Sequence, residues 1–501
     1  MSTTTSTALP TLNTPGVYIQ EIPVLPASIV SVPTAVPVFV CYTQTATEIT
    51  TNDLAGVPFQ IDNIMEYQQY FGGPYPETGL VATVNDTTNP PSAIVTLNEA
   101  TRSKYLMYYA MQLYFDNGGS SCYILSVGLY NPANPVINVG DFKGPDGTFC
   151  PVLTQHNDIT LVVLPDALGL PHSATGADTG DQTYYGLQTI AINHCILMQN
   201  RMAVMDVYPV NGYNPLQNIQ ALRNMDNNTN GLQVAMPENY KFAAAYFPRI
   251  ITNLTPSIAN PATGVDNDAL VQVTLQSTGK TVTLDTLKST QGQIYYAVKN
   301  YISNNLRMLM PAAPAIVGVY AAVDNTLGVW NAPANVGVTD AVDLEQHISA
   351  QDQGAMNVDP VSGMSVNVIR SFPGRGAAII WGARTLAGND NEWRYVPVRR
   401  FFFMVEQSVK NAIEPFVFAA NDTTTWTRVK AMIANYLTEL WRQGALMGTT
   451  TKDAFYVYCG LGETMTDNDI WEGRMIVQIG ISAVRPAEFI ILQFMQMMAA
   501  S

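Results

Sequence analysis

The chain has 501 residues, 47% hydrophobic and 13% charged, with a net charge of −15 and five cysteines. That length exceeds one ordinary core, so two or more domains are expected, and the low charge fraction fits a subunit that covers much of its surface with neighbours. Residues 1–353 hold 11 basic against 26 acidic side chains, which is the whole excess, and no basic stripe with interleaved aromatics appears, which disfavours nucleic-acid binding.

After a Ser- and Thr-rich leader, residues 14–23 carry strand character in Val17, Tyr18, Ile19 and Ile22, with Gln20 between them. Pro23, Pro26, Pro33 and Pro37 follow, and no Asn-Gly or Asp-Gly turn returns the chain. A strand without a local partner must pair at long range or with another molecule. Further on, the spacing predicts helices over 61–71 and 101–115, the latter ending at Asn117-Gly118-Gly119, and strands over 92–97 and 122–127. Residues 131–147 read as a loop, 160–164 and 202–207 as buried strands, 184–199 and 215–225 as helices, and 242–247 as extended. This alternation predicts an α/β layer with some parallel pairing. Residues 252–268 form a loop, 270–284 a β-hairpin turning at 277–280, and 291–308 a helix, so 251–308 reads as a peripheral insertion. Apolar 312–323 is a core segment. Beyond it come a strand over 377–386, a turn, a returning strand over 393–398, helices over 401–414 and 426–444, and strands over 454–460, 475–481 and 488–498, the last with a helix as its alternative. Asn421, Asp422, Thr423 and Thr424 offer N-caps for the 426–444 helix.

No catalytic constellation rises above background. Ser277-Thr278-Gly279-Lys280-Thr281 resembles the end of a phosphate-binding loop, but Thr274 stands where the first glycine belongs and the flanks alternate like a hairpin. His156, His172, His194 and His347 lack metal-ligand spacing. Cys41, Cys122, Cys150, Cys195 and Cys459 form no Cys-x-x-Cys pair and read as buried thiols in a reducing compartment. Nothing resembles a signal peptide, and no apolar run nears the roughly 18 residues of a membrane helix. Folding in the cytoplasm is expected, with no cofactor and no metal.

The last third resembles the sheath proteins of contractile phage tails and related injection systems. The matching text runs from Gly318-Val319-Tyr320-Ala321 through Gly328-Val329-Trp330-Asn331 and Phe372-Pro373-Gly374-Arg375-Gly376 to Trp381-Gly382-Ala383-Arg384-Thr385-Leu386. It continues with Trp393-Arg394-Tyr395-Val396-Pro397-Val398-Arg399-Arg400, Gly444-Ala445-Leu446 and Pro486-Ala487-Glu488-Phe489. The 14–22 stretch and Tyr114-Phe115-Asp116-Asn117-Gly118-Gly119 also look like the family, with Asn331 standing where sheath proteins often carry lysine.

The resemblance implies a mixed α+β fold: a sheath core domain built from both termini, extended terminal arms and variable outer domains. The expected division is an N-terminal arm at 1–25, an outer region at 26–310, the core domain at 311–484 and a C-terminal arm strand at 485–501. The residues expected in intersubunit arms are Val17, Tyr18, Ile19, Gln20, Ile22, Phe489, Ile491, Gln493 and Met495. Trp381, Gly382, Arg384 and Trp393 are the core motif. Arg399, Arg400, Arg428, Lys430 and Arg442 are the basic groups offered either to the tube lumen or to neighbouring subunits. The implied partners are copies of the chain in stacked hexameric rings, an inner tube protein, baseplate and terminal cap proteins, and sheath paralogues, with no nucleic acid and no membrane insertion. The implied setting is a phage tail or phage tail-like particle assembled in a bacterial cytoplasm, in its phage-type or extracellular form. The competing readings are a tail-tube, capsid or other shell protein, and a cytoplasmic α/β enzyme.

Overall fold

Apolar runs scattered from residue 37 to residue 380 converge into a single nine-stranded sheet. The computed structural model describes residues 29–131, 135–172, 183–224, 231–260, 263–489 and 491. The strand order is Val336–Gly337, Gly376–Ile380, Asn367–Phe372, Ala243–Phe247, Met202–Asp206, Leu161–Val163, Pro37–Thr43, Cys122–Leu129 and Phe59–Ile61. The six from Asn367–Phe372 to Cys122–Leu129 run parallel, and antiparallel strands close both edges. Pro37–Thr43, Met202–Asp206 and Ala243–Phe247 are buried at every position. Strands covered on both faces read as continuous apolar runs, so helices must lie on each side. Helix Ala313–Leu327, buried nearly throughout, lies against helix Met107–Asp116. A Cβ on Gly318 would come within 2.4 Å of the Tyr114 carbonyl, so glycine permits this close approach.

A second core lies between helices Val396–Ile413 and Thr423–Arg442. Val429, Met432, Ile433, Tyr436, Leu437 and Leu440 recur at helical spacing and meet Phe401, Met404, Val405 and Val409. Against this core rests a two-stranded ribbon, Phe455–Tyr458 paired antiparallel with Gln478–Ile481. A third core belongs to a smaller unit, in which Thr281–Thr283, Val271–Leu275, Leu80–Asn85 and Ser92–Leu97 form a sheet packed on helices Leu284–Thr290 and Gly292–Asn305. Val271–Leu275 pairs in parallel with Leu80–Val84, so the expected insertion at 251–308 shares its sheet and core with 80–97. The main sheet likewise draws strands from both sides of residue 310. Where the small unit joins the body, Arg102 bonds Glu77 and Glu99, while Arg249 bonds Glu99 and Glu345.

Three expected elements differ. The helix expected over 101–115 begins at Met107, because Asp166, distant in sequence, accepts the Leu106 N–H at 2.7 Å and Glu77 accepts that of Ser103. The expected return strand over 393–398 is an isolated Arg384–Tyr395 bridge, and Val396 already opens a helix with Pro397 in its first turn. The partners of Gly376–Ile380 are Asn367–Phe372 and Val336–Gly337. Helix Leu284–Thr290 stands where the hairpin strand was expected to end.

Candidate functional site

The groups that could carry chemistry are engaged in structure. All five cysteines are buried and free, and burial pushes the Cys150 and Cys195 thiols up to about 12. Asp166 and Asp206 are buried carboxylates. Asp166 accepts the Tyr42 and Leu106 N–H groups, and Asp206 accepts those of Ala312 and Ala313 where helix Ala313–Leu327 begins. Burial pushes each up to about 7, although the N–H groups pull the other way. Gly279 sits in the hairpin turn with φ +64°, and its N–H bonds the Leu275 carbonyl, so the phosphate-loop resemblance resolves as a turn. Among the described residues no group of three or more His, Cys, Asp or Glu side chains could hold a metal ion, and no helix is long and apolar enough to cross a membrane.

The remaining candidates are surfaces: the ribbon and the segments around Ile29–Thr34 and Glu488. In the ribbon, Phe455, Val457, Ile479 and Ile481 face the core, while Tyr456 and Tyr458 stack on the outer face at 4.8 Å. Tyr456 covers Gly480, where a Cβ would come within 2.1 Å of its ring. Among the described residues these two strands form a sheet only with each other, and an isolated bridge joins Leu446 to Ala483 just past the second strand. Such a ribbon presents unpaired N–H and C=O groups along its edges.

At the N-terminal side, Ile29 is buried between the two long helices. The Val32 N–H bonds Ser408 Oγ at 3.0 Å, and Ser31 Oγ meets Tyr436 Oη at 2.9 Å. Thr34 Oγ1 donates to Asp324, whose carboxylate also takes two bonds from Arg400, and Arg400 Nη2 bonds the Thr34 carbonyl at 3.0 Å. At the C-terminal side, Arg384 Nε donates to Glu488 Oε1 at 2.9 Å and Nη2 to Oε2 at 2.5 Å. Phe489 and Ile491, beyond that contact, are 73% and 80% exposed. Val17, Tyr18, Ile19, Gln20, Ile22, Gln493 and Met495 lie outside the described residues.

The core motif builds the seat of Arg384. Asn367 clasps its backbone, accepting the Arg384 N–H and donating to its carbonyl, both at 2.7 Å. A Cβ on Gly382 would come within 2.8 Å of Asn367 Oδ1, which only glycine avoids. Trp381 packs against Phe372 with ring centres 4.6 Å apart and the rings tilted by 54°, and Trp393 lies under Arg399 at 4.7 Å.

Two of the five basic residues are corrected. Arg399 and Arg400 are each 3% exposed and cannot present a charge to a tube. Arg399 is enclosed by the rings of Phe242, Trp393 and Phe403, and Arg400 is paired with Asp324. Arg428 and Arg442 lie on the outer face of helix Thr423–Arg442, and Lys430 reaches Glu463 at 3.3 Å on its flank. Sequence reasoning missed the structural roles of Asp324 and Glu488. Their only signal was position within the blocks that carried the family resemblance.

Residues 388–496 match the phage tail sheath C-terminal domain. The tail sheath protein of Vibrio phage KVP40 is 24% identical over 206 residues, a match spanning 40% of this chain and 28% of that protein. Among solved structures, the helical sheath of the anti-feeding prophage in its contracted state is 28% identical at a TM-score of 0.60, covering 97% of this chain and 99% of that one. Residues 388–496 thus carry a phage tail sheath C-terminal domain, and the whole chain is similar to contractile sheath subunits. The sheath complex of an extracellular contractile injection system, PVC, also contracted, is 27% identical, covering 97% of this chain and 99% of that one, with a TM-score of 0.60. A baseplate structure of the anti-feeding prophage contains a chain 28% identical, covered in full, at a TM-score of 0.58. These likenesses extend well beyond the C-terminal third, over 97% of the chain.

Proposed function

We propose that this chain is the structural subunit of a contractile sheath. It polymerises helically as stacked hexameric rings around an inner tube and shortens from a metastable extended state to drive the tube through a target envelope. The observation that carries this reading is the likeness, over 97% of the chain, to sheath subunits solved in contracted assemblies. The work is non-covalent and needs no active site, because contraction lowers free energy by forming more subunit contacts over a local barrier.

The residues at 14–23 and 488–498 add as strands to the open edges of the ribbon in neighbouring subunits. Backbone hydrogen bonds then hold the lattice together whatever the angle between bodies. Such contacts are heterologous and propagate as a helix. Baseplate, terminal cap and paralogous sheath subunits complete the particle, which assembles in the bacterial cytoplasm. Arg428 and Arg442, with Lys430 on the flank, are the basic groups left to meet an acidic tube. Exposed pairs contribute about 0–1 kcal/mol each, which suits a contact that must release on firing.

Electron microscopy of the expressed protein tests the reading. Long hollow cylinders are expected, and discrete particles with enzymatic turnover would refute it. Deleting residues 1–23 should leave a soluble subunit that no longer polymerises.

A further inference from the structure

We propose that Arg384 is a clamp that fixes the root of the C-terminal arm at Glu488, so that the part free to engage a neighbour begins at Phe489. This rests on the reading of the chain end as an intersubunit arm and deepens it by naming what anchors that arm. The guanidinium is 3% exposed and all three of its nitrogens are engaged: Nε and Nη2 with the Glu488 carboxylate, and Nη1 with the carbonyls of Asn357 and Gly388. Tyr395 Oη adds a longer contact to Glu488 at 3.4 Å. A planar fork facing a carboxylate in this way fixes direction as well as distance, which a lysine could not do. If Glu488 left, a buried cation would lose its counter-charge, so the segment is held far more firmly than one exposed ion pair could hold it.

The seat is built for this contact. Asn367 and Gly382 fix the Arg384 backbone, and Pro486, Ala487, Glu488 and Phe489 form one wall of a groove of about 600 Å³ whose other wall includes Gln353 and Trp381. Immediately past the clamp, exposure rises from 17% at the Glu488 side chain to 73% at Phe489. Arg485 and Ala487 before it are exposed too, so the hold rests on the Glu488 side chain. The N-terminal side shows the same device, with the buried Arg400–Asp324 pair gripping Thr34. Tension on the arm therefore ends at Arg384 and does not reach the Gln478–Ile481 strand a few residues upstream.

The test uses the full chain as wild type, Glu488→Gln, Arg384→Lys and a deletion of 490–501. Hydrogen exchange is followed over 484–489 and over Ala243–Phe247, and tubes are collected by sedimentation. Both substitutions should speed exchange over 484–489 at least about tenfold, leave Ala243–Phe247 unchanged and reduce sedimentable tubes. Glu488→Gln alters only a side chain near the chain end and serves if Arg384→Lys fails to fold. Unchanged exchange over 484–489 in Glu488→Gln overturns the clamp. So do normal tubes from Glu488→Gln when the deletion forms none. Normal tubes from the deletion would instead refute the arm reading, with the clamp still decided by exchange.

Discussion

Arg400 and His194 show how burial reassigns a residue. An arginine next to another arginine in a helix reads as a surface cation, because arginine is rarely buried unless paired. Arg400 is paired, with Asp324 at 2.5 Å and side-chain exposures of 2% and 5%. Removing one partner of such a pair costs about 3–5 kcal/mol, because the other charge stays behind uncompensated. Asp324→Ala should lower unfolding stability by that amount in urea titrations, and the Asp324→Leu, Arg400→Met double variant should lose less. His194 is 4% exposed and accepts a bond from Arg201 Nη1 at 3.2 Å, which requires a neutral ring. Burial first, and the Arg201 charge second, push it down to about 4. Its folded pKa thus lies below the unfolded value, and its contribution is complete above about pH 6.5 and lost as pH falls toward 4. Between pH 7 and pH 5 the wild type should lose about 2 kcal/mol more than His194→Gln. Parallel pH slopes for the two proteins would show that the histidine is not held neutral.

The elements that local periodicity described well are those whose partners are close or whose caps are explicit. Helix Thr423–Arg442 starts at Asp422, one of the expected caps, which accepts the Thr425 N–H at 2.9 Å. Asp422→Ala should cost about 1 kcal/mol, read as a lower midpoint in thermal or urea unfolding. Strand Ser92–Leu97 falls where its β-branched run placed it, and helix Tyr184–Met198 stops at Gln199 in the left-handed region. The elements read wrongly are those set by distant groups. Residues 101–106 have helical spacing, yet Asp166 and Glu77 fix where the helix begins. Residues 393–398 are rich in strand formers, but the first turn of a long amphipathic helix claims Val396 and Pro397.

For the whole molecule, the charge division has a simple shape. The net-neutral last third contributes the helices Val396–Ile413 and Thr423–Arg442, the ribbon and the Arg384 seat, while the acidic excess lies in the first two-thirds. If Arg428 and Arg442 face the tube, reversing both to glutamate should reduce co-sedimentation with the tube while sheath tubes still form alone. Unchanged co-sedimentation would assign them to solvent or to sheath neighbours. The sequence by itself determined the alternation of strand and helix, the long C-terminal helices and, through ordered motifs, the likeness to sheath proteins, because each is encoded by neighbours a few residues apart. Only the tertiary structure decided that Arg399 and Arg400 are internal, that 80–97 and 271–283 share one sheet, and that Glu488 is held by the body. Arg400 meets a carboxylate 76 residues away and Arg384 one 104 residues away. Contacts at such separations are chosen by chain topology, which no local pattern carries.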